Sequence, residues 1–98
     1  MYAKQVLWEA VGALATGDGS IQERLAIAAG SHGPGLIKLV GPAHNDLPEE
    51  LQDEFRAIWR ELNKEGSVSA TTNELTGEEC RQLAKRIFDI YTDIMGGL

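Results

Sequence analysis

The chain has a single cysteine, Cys80. No internal disulfide can therefore form, and neither a C-x-x-C pair nor a disulfide framework is available. The two histidines, His32 and His44, stand apart from each other and from Cys80, so no paired ligands exist to start a metal site. Long apolar runs are missing as well. Nothing approaches the roughly 20 consecutive apolar residues that a membrane span needs, and Glu9 interrupts the one early apolar stretch before it takes the form of a secretory signal. Bases are scarce: 15 acids against 9 bases give a net charge of −6, which repels nucleic acid and anionic membrane at long range. No segment carries the alternating pattern of a strand. No combination of nucleophile, base and oxyanion donor can be assembled from the pattern, so an enzyme is not expected. These absences imply a cytoplasmic protein with no cofactor and no metal, acting through contact with another protein.

Helical periodicity is what the sequence does have. Val6, Leu7, Ala10, Val11 and Leu14 form a stripe over residues 3 to 16, with Trp8 at its edge and Gly17 placed to end the helix in left-handed geometry. Ser20 and Glu23 in SIQE have the spacing of a capping box, and the second helix continues through Leu25, Ala26, Ile27 and Ala28 until Gly30. A third helix opens at Pro48, carries Glu49 and Glu50 at its positive end, and buries Leu51, Phe55, Ile58, Trp59 and Leu62 before Gly66 ends it. SVSATTNEL reads as a polar loop. Thr76 and Glu79 in TGEE form a second capping box. It opens a last helix to about Met95, with Cys80, Leu83, Ala84, Ile87, Ile90, Tyr91 and Ile94 on its apolar side and Phe88 at the margin. The fold class expected is all-α: one domain over residues 1–98, a small bundle of four main helices, with a short fifth piece over residues 36–40.

GSHGPG, residues 30 to 35, is the one stretch whose backbone must do something unusual. A phosphate loop would need a strand before it and a Lys-Ser or Lys-Thr pair after it, and the chain has a helix before and LIKL after. A helix-turn-helix fits better, because Ala26, Gly30, Leu36 and Leu39 have its spacing over residues 21–40. Its recognition helix would then begin with Gly33, Pro34 and Gly35, which reach no base edge, leaving Arg24 and Lys38 as the cations. The simpler reading is a helix stop and a hinge, with Gly30 ending the helix and Gly33 or Gly35 supplying a positive φ.

Charge patterning supplies the candidate partner-binding residues. Arg56, Arg60 and Lys64 are spaced to share one face of the third helix, and Arg81 and Lys85 share a face of the last. If those helices are neighbours, the two groups merge into one basic patch. Glu50, Glu54, Glu61 and Glu65 form an acidic line suited to a basic protein. Acid pairs at helix starts, Glu49 with Glu50 and Glu78 with Glu79, are accounted for by the helix dipole. Trp8, Trp59 and Phe88 supply apolar surface for a homodimer.

Across LWEAVGALATGDGSIQERLAIA, DLPEELQDEFRAIWREL and LAKRIFDIY, the chain resembles a group of small bacterial all-α proteins of about this length and of uncharacterised function. The resemblance implies the helical fold and carries no activity with it. A protein-interaction or regulatory module is therefore the first expectation, and a helix-turn-helix DNA-binding regulator the second.

Overall fold

The computed structural model describes residues 2–30, 35–40 and 46–96. His32, Gly33, Pro34 and residues 41–45, which include His44, lie outside them. The described residues form five α-helices, α1 Tyr2–Thr16, α2 Ile21–Ala29, α3 Glu49–Leu62, α4 Val68–Glu74 and α5 Gly77–Gly96, with one 3-10 turn at Leu36–Leu39 and no strand. None of these helices is long and apolar enough to cross a membrane.

One apolar cluster joins every element, α4 contributing only the partly buried Val68 at its edge. Ala3, Val6, Leu7 and Ala10 of α1 face Leu25, Ala28 and Ala29 of α2, where the alanines leave room for close helix packing. Cys80, Leu83, Ile87 and Ile90 bring α5 onto the same core, and Phe55, Ile58 and Leu62 bring α3. Helix α1 is central, packing on both α2 and α5, while α3 leans mainly on α5. Trp8 is not an edge residue of the α1 stripe. It stands 59% exposed on the opposite side, because its position, 100° per residue along the helix, falls far from the Ala3 to Ala10 line.

The two capping boxes form as the sequence implies. Ser20 Oγ accepts from the Glu23 amide at 3.1 Å while the Ser20 amide donates back to the Glu23 carboxylate at 3.3 Å. Thr76 and Glu79 repeat the exchange at 3.1 and 2.9 Å. The amide and hydroxyl of Thr76 thereby hold the Glu79 carboxyl below its usual range. The start of α1 is capped from a distance: both the Tyr2 and Ala3 amides donate to the Asp46 carboxylate at 2.8 Å. This ties the first helix to the segment that leads into α3.

Three local expectations are corrected. SVSATTNEL is not a loop: Val68–Glu74 is helical, capped by Ser67, whose side chain accepts from the Ala70 amide. One of its two buried threonines, Thr71, donates its hydroxyl to the Ser67 carbonyl at 2.7 Å and accepts from the Glu65 amide at 3.1 Å, so a polar side chain is buried with its bonding satisfied. Helix α3 stops at Leu62 rather than near Gly66, because Asn63 leaves the helix at φ −119° and its side-chain amide takes the Trp59 carbonyl. Gly66, at φ +97°, turns the chain afterwards. Finally, Gly17 is not left-handed. It is needed because a Cβ there would stand 2.4 Å from the Ala13 carbonyl oxygen, and the positive φ falls on Gly19 instead.

GSHGPG acts as a stop followed by a close backbone contact. Gly30 ends α2 at φ +111°, donating its amide back to Ala26 and Ile27. Gly35 is extended, at φ 174°, and is required for space: a Cβ on it would lie 2.6 Å from both the Ala28 carbonyl oxygen and the Gly30 nitrogen. The chain returns against the end of α2, and this delivers Leu36 and Leu39 into the core.

Two stability measurements follow. Gly35→Ala should cost about 1 to 3 kcal/mol, because backbone would have to move, whereas Gly12→Ala, with open space at its Cβ, should gain about 0.5 to 1 kcal/mol of helix stability; urea unfolding of the pair checks both signs. Asp46→Ala should cost about 1 kcal/mol at pH 7. Burial pushes the Asp46 carboxyl up, but the amides of Ala3 and Tyr2 outweigh it and hold it below 3.8. Its contribution is therefore fully present above 3.8 and is lost as the pH falls through the lowered value. Wild type and variant should converge in stability in strong acid.

Candidate interaction groove

Helix α3 has two unlike flanks around its buried Phe55, Ile58 and Leu62 line. Glu54 and Glu61 lie on the flank toward α5, where the Arg86 Nε donates to Glu54 Oε1 at 2.9 Å across the interface. Both partners are half-exposed, so the pair is worth only a fraction of a kcal/mol to about 1 kcal/mol. Glu50 is exposed at the start of the helix.

The opposite flank meets the 3-10 turn and leaves a groove of about 650 Å³. Leu39, Val40, Phe55 and Trp59 give it an apolar floor and wall, while Gln52, Asp53, Arg56 and Arg60 supply its polar rim. Phe55 and Trp59, one helical turn apart, stack with ring centroids 6.4 Å apart and planes 17° from parallel, which braces the indole upright. Trp59 also walls a second depression of about 320 Å³, reaching Ile37 and Val68. Ile37 and Val40 are 51% and 46% exposed, so the 3-10 turn and the residue that caps its end present two large aliphatic side chains beside the tryptophan. Such a contiguous apolar strip is uncommon on a surface that meets only water.

Helix α3 and α5 are neighbours, yet the basic residues do not merge. Arg56 and Arg60 line the groove. Lys64 lies past the end of α3, out of register with them, and lines a different depression with Glu61, Glu79 and Arg86. Arg81 and Lys85 pair within α5, with Glu78 at 3.2 Å and with Asp89 at 3.0 Å. Arg56 reaches Asp53 at 2.6 Å. Arg60 makes no ion pair among the described residues.

The residues of the helix-turn-helix reading are occupied otherwise. Arg24 donates to the Leu14 carbonyl at 3.0 Å, and after the corner the described chain holds a single 3-10 turn whose Leu36 and Leu39 are buried. A turn of four residues has no helical face to lay along a groove of DNA. The aromatics proposed for a dimer sit on three helices: Trp8 on α1, Phe88 on α5, 48% exposed, and Trp59 half-buried in the groove. Among the described residues no three potential metal ligands gather.

The floor of the groove escaped the sequence pattern, which placed Phe55 on the apolar core face and gave Trp59 both to that face and to a dimer surface, without joining the two to the 36–40 segment. The signal available was the doublet Phe55-Arg56 repeated one turn later as Trp59-Arg60. The contribution of Leu39 and Val40 depends on tertiary placement. No protein-family model matches the chain, and neither a curated protein nor a solved structure matches it.

Cys80 lies fully inside the core. Burial pushes its thiol up, the Glu79 charge adds to this, and Arg81 opposes it. A thiol so placed is inert. The folded protein should leave an aromatic disulfide reagent unreacted at pH 8 over minutes, and the urea-unfolded protein should react with one equivalent at once; rapid reaction of the folded form would contradict the burial.

Proposed function

We propose that the chain is a non-catalytic protein-interaction module whose contact surface is the groove between the 3-10 turn and α3. The observation that carries this is an apolar floor beside exposed Ile37 and Val40, rimmed by guanidinium groups. That composition, an apolar centre with aromatic and arginine side chains around it, is the one found in the binding core of protein interfaces. The setting proposed is a bacterial cytoplasm, drawn from the resemblance and from the lone cysteine.

The test compares immobilised wild type with Val40→Glu and with Glu54→Ala, in a bacterial lysate with and without nuclease. A protein retained in near-equal amount under nuclease, lost with Val40→Glu and kept with Glu54→Ala, is the expected result. A protein retained by all three would move the contact surface off the groove. Loss of all bound material on nuclease treatment would overturn the protein-binding reading. A second copy of the chain held through Trp8 and Phe88 would be recognised in the same eluate as the untagged chain, added beforehand.

A further inference from the structure

We propose that the groove takes an acidic amphipathic helical segment, with an apolar anchor seated between Val40 and Trp59 and carboxylates one turn apart reaching Arg56 and Arg60. This rests on the interaction reading above and specifies the chemistry of the partner.

Two observations fix that chemistry. The first is charge at the rim: Arg56 and Arg60 against Asp53 alone. Asp53 already engages Arg56, on a pair largely open to water, while Arg60 has no acid in reach among the described residues. A local excess of positive charge on a chain of net charge −6 favours an acidic ligand at this place. The second is spacing. Arg56 and Arg60 are four residues apart on one helix, roughly 6 Å along its axis, which matches carboxylates at i and i+4 on a facing helix. Planar guanidinium groups donate paired hydrogen bonds to carboxylates better than ammonium groups do.

The floor decides against a purely ionic ligand. Leu39 and Phe55 are buried at the bottom, and Val40 and Trp59 stand up at the sides. A phosphate or a bare acidic chain would cover these without filling them, whereas a leucine or phenylalanine anchor removes them from water. An amphipathic helix offers both parts at helical spacing, in the helix-in-groove manner.

The experiment uses Trp59 as its own reporter. Trp8→Phe, at an exposed position, leaves Trp59 as the only tryptophan, since the chain has two. The probe is a synthetic 16-residue helical peptide with Leu and Phe at i and i+4 and Glu pairs at i and i+4 beside them. Three comparison ligands go with it: the same peptide with every Glu replaced by Lys, one with Leu and Phe replaced by Ser, and a 20-nucleotide oligo-dT. The expected result is a blue shift of Trp59 emission with the acidic apolar peptide. Binding should be at least tenfold weaker for the Lys and Ser peptides, and about tenfold weaker again when Arg56→Glu and Arg60→Glu are combined in a variant whose circular dichroism is unchanged.

Equal binding of the Lys and Glu peptides would overturn the charge assignment, and tighter binding of oligo-dT would overturn the choice of a peptide. No response to any peptide would overturn the proposal. If the lysate experiment still returns a nuclease-resistant protein lost with Val40→Glu, the groove remains an interaction surface and only the acidic helical occupant falls.

Discussion

The backbone contact between Gly35 and the end of α2 is the constraint on which the rest of the molecule depends. With no side chain at Gly35, its backbone lies directly on Ala28 and Gly30. That approach carries Leu36 and Leu39 inward and leaves Ile37 and Val40 outward. A single 3-10 turn thus closes one side of the core and builds one wall of the groove. A methyl group at Gly35 would separate these segments and disturb both, which makes packing and the candidate surface one problem.

Helix α3 then divides its labour by flank. Its acidic side meets Arg86 of α5, and its aromatic and basic side meets the 3-10 turn. Neither flank contributes much stability through charge, because the ion pairs are exposed and screened. Apolar burial by Phe55, Ile58 and Leu62 sets where the helix sits, and the charges are free to serve recognition. The early end at Asn63 matters in the same way: one more helical turn would have put Lys64 in line with Arg60, and the chain instead turns Lys64 toward Glu79.

Much of the fold was legible where interactions are local. Ser20 with Glu23 and Thr76 with Glu79 are three residues apart, so their capping boxes are properties of short peptides. The stripe on α5 from Cys80 to Ile90 follows helical spacing and placed the cysteine correctly inside. Helix α4 was illegible because Ser, Thr and Asn compete for backbone hydrogen bonds and read as loop. Thr71 is helical because packing on α2 and α3 and a bond from the Glu65 amide reward that conformation. The groove was half legible: Arg56 and Arg60 stood out by charge and Trp59 as a surface aromatic, while Leu39 and Phe55 read as core and Val40 carried no signal of its own.

The sequence by itself determined an all-α fold, the starts of α2 and α5 with their capping boxes, the stop at Gly30 and a cysteine without a partner, since each depends on neighbours within a few residues or on composition. Tertiary structure alone decided that Asp46 caps α1 from more than forty residues away, that Gly35 is needed for space rather than for a positive φ, that the basic residues divide among separate surfaces, and that a tryptophan from α3 shares a groove with the valine that follows the 3-10 turn. The physical reason is common to all four. Each depends on how separate segments approach one another, near in sequence for Gly35 and Ala28 and far for Asp46 and α1, an approach set by how the helices bury their apolar faces together and not by any periodicity within one of them.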